Sequence, residues 1–433
     1  MKLRLAEDSP RWCVKRRSFL KGAGILTVVV AGGGVWRAYD QGVFSVGEGP
    51  AYEPWQDWQN NDWRNNDLLY NDGRNNPLPL VRAAILAASP HNTQPWLFKV
   101  TDSSIELHLD PHRNVGALDP YLREEHIGIG CALENLMLAA RANGYAATAT
   151  LQPGKLEPVP AHLKPRLLAR VDLAPAKRND NESAVRENDS HKNDLQQSAL
   201  YNAIPRRHTN RGPYDPHQPI PPDFLEALRS LPGDDANVKL FLFTAEADRR
   251  KIADVSSAAN TEIYSDADVR RSSERWVRTQ WSAVQEHRDG LTIDAFGLPP
   301  IADAAAKMMT SGMLQWAASR TANGYSSLML SAPLIGLVAV RDRYEQEDCL
   351  RAGRIWQRAH LLATARGLAA RPCNEAVEMV DHERAIGRPA SRAALLNEIT
   401  GDSTWQPTFV FYMGYPTLAA HASPRRPVEA VLI

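Results

Sequence analysis

Two short polar runs in the 433-residue chain carry side chains suited to gripping a ligand. The first is Ser89-Pro90-His91-Asn92-Thr93-Gln94-Pro95-Trp96, whose hydroxyl and amide groups donate and accept hydrogen bonds without adding charge. Such groups suit the carbonyls and ring nitrogens of a neutral heterocycle. The second is Arg207-His208-Thr209-Asn210-Arg211, followed by Tyr214 and by Pro219, Pro221 and Pro222. Two guanidinium groups with a hydroxyl between them match a dianionic phosphate, because arginine offers planar paired donors. Arg425 and Arg426, just beyond Gly414-Tyr415-Pro416, form a third basic element. Neither run supplies an obvious nucleophile or acid–base pair, so no catalytic residue is assigned. Cys13, Cys131, Cys349 and Cys373 lack both CxxC spacing and the density of a disulfide scaffold, and no metal site is expected.

The elements that must position these runs follow from patterning. Fifty Lys plus Arg balance fifty Asp plus Glu, which leaves no overall field to attract nucleic acid or an acidic membrane surface. A hydrophobic content of 43% supports a large buried core. Residues 1–40 read as a leader: Lys15-Arg16-Arg17-Ser18-Phe19-Leu20-Lys21 precedes a weakly apolar run from Gly22 to Val35. This resembles a twin-arginine export signal, and the run is shorter than the roughly 20 apolar residues that a spanning helix needs. No clear cleavage site precedes Trp36. The leader therefore implies the twin-arginine translocase as a partner and a periplasmic or membrane-anchored location. Residues 41–77 are dense in Trp, Asn and Asp and read as an irregular strap with its tryptophans on the surface.

A first α+β unit spans 78–173, with a helix from Leu78 to Ala88, strands near Leu97–Val100 and Ile105–Leu109, a buried helix from Gly128 to Ala142, and strands near Ala146–Leu151 and Leu167–Val171. Residues 174–202 have few large apolar side chains and many charges, the composition of a linker. A second unit, 203–433, holds a helix from Asp223 to Leu231, strands at Val238–Phe243, Leu334–Val340 and Thr408–Met413, and a long helix from Asp348 to Arg366. Within it, 288–324 mixes turn signals at Gly290 and Gly297-Leu298-Pro299-Pro300 with Phe296, Met308 and Met309, as a lid would.

The units echo each other. Gly130-x-Ala132-x-Glu134-Asn135-Leu136 leads to Gly144-Tyr145, and Gly353-Arg354-x-x-Gln357-Arg358 leads to Gly367-Leu368. Both segments resemble the central helix of the nitroreductase family, and Ser89-x-x-Asn92-x-Gln94-Pro95-Trp96 looks like that family's flavin-facing turn. Arg207-x-Thr209-x-Arg211 resembles its phosphate loop, with Arg425 and Arg426 where a closing basic residue stands. Pro372-Cys373-Asn374-Glu375 falls where the family places backbone groups near flavin N5. The resemblance is nearest to Acg-type members. It implies an α+β nitroreductase-like fold whose two halves form an internal pseudo-dimer around one FMN.

On that resemblance, Ser89, Pro90, His91, Asn92, Gln94, Arg207, His208, Thr209, Arg211, Asn374, Glu375, Arg425 and Arg426 are the cofactor-binding residues. The expected activity is electron transfer from FMN to a nitroaromatic, quinone or similar acceptor, with NAD(P)H or another molecule as donor. The alternative is a protein that sequesters FMN without reducing anything.

Overall fold

The computed structural model describes residues 33–56, 76–158, 164–176, 197–309 and 324–433. The twin-arginine run therefore lies outside the described residues, as do Trp58, Trp63, most of the charged linker and residues 310–323 of the expected lid. Among the described residues no helix is long and apolar enough to cross a membrane.

In the first unit, helix α1 (Leu78–Ala84) precedes strands β1 (Trp96–Thr101) and β2 (Ser104–Leu109), helix α2 (Arg123–Ala142), and strands β3 (Tyr145–Leu151) and β4 (Arg166–Pro175). The second unit repeats the succession with helix α3 (Pro222–Arg229), strands β5 (Val238–Phe243) and β6 (Leu334–Val340), helix α4 (Gln346–Ala365), and strands β7 (Ala369–Pro372) and β8 (Gln406–Gly414). Each unit folds one four-stranded antiparallel sheet, in the order β1-β2-β4-β3 and β5-β6-β8-β7. Strand for strand, the two orders are the same. Both central helices stop at a glycine in the left-handed region, Gly144 (φ 80°) and Gly367 (φ 74°), where a side chain would be strained.

The central helices pack directly on each other, and two glycines allow it. A Cβ on Gly130 would lie 2.3 Å from the Leu350 carbonyl oxygen, and one on Gly353 would lie 2.0 Å from that of Ile127. The polar pairs across this contact are reciprocal as well. Glu134 accepts from Arg354 Nε at 2.8 Å and from Arg358 Nε, while Gln357 donates to Asn135 Oδ1 at 2.8 Å. A second tie is ionic and fully buried: Arg123, at the start of α2, donates through Nε to Asp381 at 2.6 Å, and Arg343 reaches the same carboxylate at 3.1 Å. Asp119 caps α2 by accepting from the backbone N–H groups of Arg123 and Glu124. The polar load of this helix was not apparent from its apolar reading.

Several boundaries differ from the sequence expectation. Helix α1 ends at Ala84 rather than Ala88, because the chain tightens into turns that close Ala87 N–H on Ala84 O. Strand β4 runs on to Pro175, and Leu200, Ala203 and Ile204 are already buried, so ordered chain intrudes on both ends of 174–202. Trp55 is buried in a short helix, Glu53–Gln56, instead of lying on the surface. Its indole N–H donates to Ser423 O at 2.8 Å. The start of the expected lid is packed: Asp289 is buried and receives bonds from Arg113 and Arg278.

Candidate functional site

The turn after α1 carries strain in proportion to its task. His91, Asn92 and Gln94 all adopt positive φ (45°, 57° and 52°), a conformation that non-glycine residues keep only where surroundings enforce it. Here two distant segments do so. Asn92 Nδ2 donates to Gly290 O at 3.1 Å and to Pro424 O at 2.9 Å, and Asn92 Oδ1 accepts from Arg425 Nη1. Gln94 Nε2 donates to Arg288 O at 2.8 Å, and Gln94 Oε1 accepts from the Arg426 N–H at 2.8 Å. Ser89 Oγ accepts from Gln94 N–H at 3.1 Å. The amides of Asn92 and Gln94 thus bind protein, where the sequence expected Asn92 to serve a ring.

The C-terminal tail reaches this turn because it crosses from the second unit to the first. Phe98 on edge strand β1 donates its N–H to Val431 O at 2.7 Å and accepts from Ile433 N–H at 2.9 Å, which fixes the preceding Arg425 and Arg426. Arg425 donates to Ala87 O at 3.2 Å, and Arg207 donates to Leu86 O at 3.0 Å. Both arginines therefore use carbonyls left free just beyond α1.

Arg207 and Arg425 are 2% and 3% exposed, and among the described residues neither has a carboxylate partner. Their Nε atoms and His208 Nδ1 are buried without hydrogen-bond partners. Burial lowers the Arg207 pKa to about 10, and burial with the neighbouring Arg207 charge holds that of Arg425 well below the usual arginine value. His208 is pushed down to about 3 by burial and by both guanidinium groups. Trp55 covers the pair, its ring centre 4.7 Å from the Arg425 guanidinium and 6.0 Å from that of Arg207. An uncompensated pair of buried cations is costly, and a bound dianion removes the cost.

Arg211 belongs to a different cluster. It is half-buried beside Arg371, and burial together with that like charge lowers its pKa to about 10. Arg371 lies between the rings of Tyr325 and Tyr412, at 5.7 and 5.8 Å, and these groups with Glu375 outweigh burial and raise its pKa. Glu375 accepts from Tyr325 Oη at 2.6 Å, and burial raises its pKa. His91, bound to Ser273 Oγ at 2.7 Å, is held neutral by burial and by Arg211, at about 4. Asn374 Oδ1 accepts from Val410 N–H at 2.9 Å and ties this segment to β8.

The predicted arginine loop thus splits, with Arg207 facing Arg425 and Arg211 facing Arg371, while Thr209 between them is half-buried. Asn92 and Gln94, expected at a ring, instead bind Arg425 and Arg426, expected at a phosphate. Sequence reasoning missed Trp55, Arg371, Tyr325 and Tyr412. Only Trp55 had left a signal, in the tryptophan-rich strap.

One stretch of this chain has curated relatives. Over 96 residues it is 34% identical to the "Putative NAD(P)H nitroreductase acg" of Mycobacterium tuberculosis, a match covering 22% of this chain and 27% of that protein. Over 64 residues it is 38% identical to the "Putative NAD(P)H nitroreductase Rv3131" of the same organism, covering 15% and 19%. The chain thus spans about a quarter of the length of the first of these relatives and less of the second. No family model matches. Among solved structures, the FMN- and NADPH-dependent nitroreductase NfnB from sphigopyxis sp. strain HMH aligns at 14% identity and a TM-score of 0.36, over 54% of this chain and 97% of that one. NfnB from Mycobacterium smegmatis, solved with NADPH, aligns at 17% identity and a TM-score of 0.33, over 54% and 96%.

Proposed function

We propose that this chain is an FMN-binding, nitroreductase-like oxidoreductase whose two units form an internal pseudo-dimer around one flavin. The observation that carries this is the buried, uncompensated pair Arg207 and Arg425, held against the Asn92 turn by segments more than a hundred residues apart in sequence. Two desolvated guanidinium groups with unused Nε donors fit a dianionic phosphate, and His208 offers a third polar atom. Curated nitroreductase relatives over part of the chain support the same reading, as does the shared strand order of the two sheets.

When bound, FMN supplies the electron transfer itself, so the chain need only hold, orient and enclose. Arg207, His208 and Arg425 hold the phosphate. His91, Arg211, Arg371 and Glu375 border the remaining space, with Tyr325 positioning the Glu375 carboxyl. Acceptors of the nitroaromatic or quinone class suit this arrangement, and NAD(P)H is the donor to try first. The leader implies export by the twin-arginine route after the cofactor is loaded in the cytoplasm.

A storage protein is the second reading, favoured by one observation: residues 288–290 are hydrogen-bonded to the turn and close it from outside. The deciding experiment is purification without added flavin, an absorption spectrum, and anaerobic titration with NADPH and NADH. Bound flavin bleached by either nucleotide supports the reductase. Bound flavin left oxidised by both, yet reduced by dithionite, supports storage, and absence of flavin after reconstitution with FMN rejects both.

A further inference from the structure

The repeated topology assigns counterparts to the parts of the first site that stand on the central helices and the strands after them. Gly353 stands 223 positions after Gly130, and the same offset relates Gly144 to Gly367. Around the Arg207 cluster stand Cys131, Gln357, His360 and Ala370, with Leu86 to Ala88 just beyond α1. Arg207 Nη1 meets His360 Nδ1 at 3.4 Å, Ala88 N–H donates to Gln357, and Asn210 N–H donates to Ala370 O. Shifted by the offset, the first four become Arg354, Glu134, Met137 and Ala147, and the place of Leu86 to Ala88 after α1 is taken by Ser230 and Leu231 after α3. All six line one cavity of about 690 Å³.

The cavity is therefore the first site's counterpart in the other half, and its chemistry has changed. Where the first site has the neutral Cys131 and Asn135, the second has Arg354 and Arg358. Among the described residues, Glu134 is the single carboxylate on the wall, and it binds the Nε of Arg354 and of Arg358. Among the described residues their terminal nitrogens have no partner, and both side chains keep about a third of their surface or less, 27% and 34%. Among the described residues, Arg354 and Arg358 set two guanidinium groups against the one carboxylate of Glu134, while Met137, Leu138, Leu200 and Leu231 supply an apolar side. The volume falls within the few-hundred to about 1,000 Å³ range of small-molecule sites.

We propose that this cavity is a second binding site, for an organic phosphate of mononucleotide size. The phosphate meets the terminal nitrogens of Arg354 and Arg358 as paired donors, and the base lies against the apolar side and Tyr145. The assignment rests on the fold's repetition and on this wall, and is independent of what the Arg207 cluster holds.

The test is calorimetric titration of the full chain, as purified, with AMP and with adenosine. AMP should bind saturably and adenosine at least about tenfold more weakly, the loss expected of a charge-assisted pair. Arg358→Gln should weaken AMP by a similar factor. Ala147→Phe fills the cavity, leaves every arginine in place, and should abolish AMP binding while flavin absorbance per chain stays unchanged. No AMP binding at millimolar concentration, equal affinity for adenosine, AMP binding that survives Ala147→Phe, or displacement of flavin by AMP would each overturn the assignment. Loss of flavin on Arg207→Ala with AMP binding intact would show that the two sites stand or fall separately.

Discussion

At the scale of single residues, the site depends on charges placed where water cannot reach them. Arg425→Ala removes one of two buried cations and the partner of Asn92 Oδ1. FMN affinity should therefore fall by a factor of about 10 to 150, and riboflavin affinity much less, since a hydrogen bond to a charged group contributes about 1.5–3 kcal/mol. Equal losses for both ligands, measured by fluorescence titration, would remove Arg425 from the phosphate. Asn92→Ala should resemble it, because Asn92 acts through Arg425 rather than on a ring. His208 gives a pH prediction whose sign follows from its depressed pKa, about 3 in the folded chain against about 6.5 unfolded. The unfolded chain takes up a proton that the folded chain refuses, so stability drains away as pH falls below about 6.5 and continues to do so toward 3. In flavin-free protein, His208→Gln should reduce the loss of Tm between pH 7 and pH 5. An unchanged loss would place the proton uptake elsewhere.

At the scale of elements, the contact between α2 and α4 sets the geometry of both sites. Gly130→Ala would drive a methyl group into the Leu350 carbonyl, a backbone atom that cannot swing away. Overpacking of this kind costs about 1–3 kcal/mol. Urea denaturation should show at least that loss, and flavin content should fall with it because Arg207 and the turn hang on opposite helices. Glu134→Gln weakens the anchor of Arg354 and Arg358, and breaking buried pairs of this type costs about 3–5 kcal/mol. A variant with wild-type stability would mean that the two arginines find other partners. The segment expected to be a removable lid is partly structural. Asp289→Ala strands Arg113 and Arg278, so it should destabilise the protein and loosen the turn, detected as faster proteolysis near residue 90.

At the scale of the whole molecule, the proposed site draws its arginines and its turn from different units. Flavin bound at one equivalent per chain is the expected outcome of quantifying FMN against protein, and two equivalents would mean that the second cavity also takes FMN. The reach of the tail is the feature that makes the composite possible. Truncation before Pro424 removes Arg425, the carbonyl bonded to Asn92, and the bridge from Val431 to Phe98. Such a chain should fold but fail to retain FMN on a desalting column.

Local chemistry made much of this legible in advance. Alternation and apolar runs located seven of the eight strands of the two sheets, all but the short β7, because burial on a sheet face recurs along a strand whatever the tertiary context. Glycine stops and the echo between Gly130 and Gly353 exposed the repetition, and residue type alone singled out Asn92, Gln94, Arg207 and Arg425, of which Asn92 and Gln94 spend their amides on protein groups. Side-chain direction was beyond it. Arg207 and Arg211 are four residues apart and face different partners, because the chain between them turns from the C-terminal end of α1 toward β7. Trp55 covers the arginines, Arg371 faces Arg211 between two tyrosines, and the counterpart cavity became positive, all through contacts among residues far apart in sequence. Those contacts form only when two sheets and two crossed helices fix their distances, and it is the fold that decides which charges share a desolvated space.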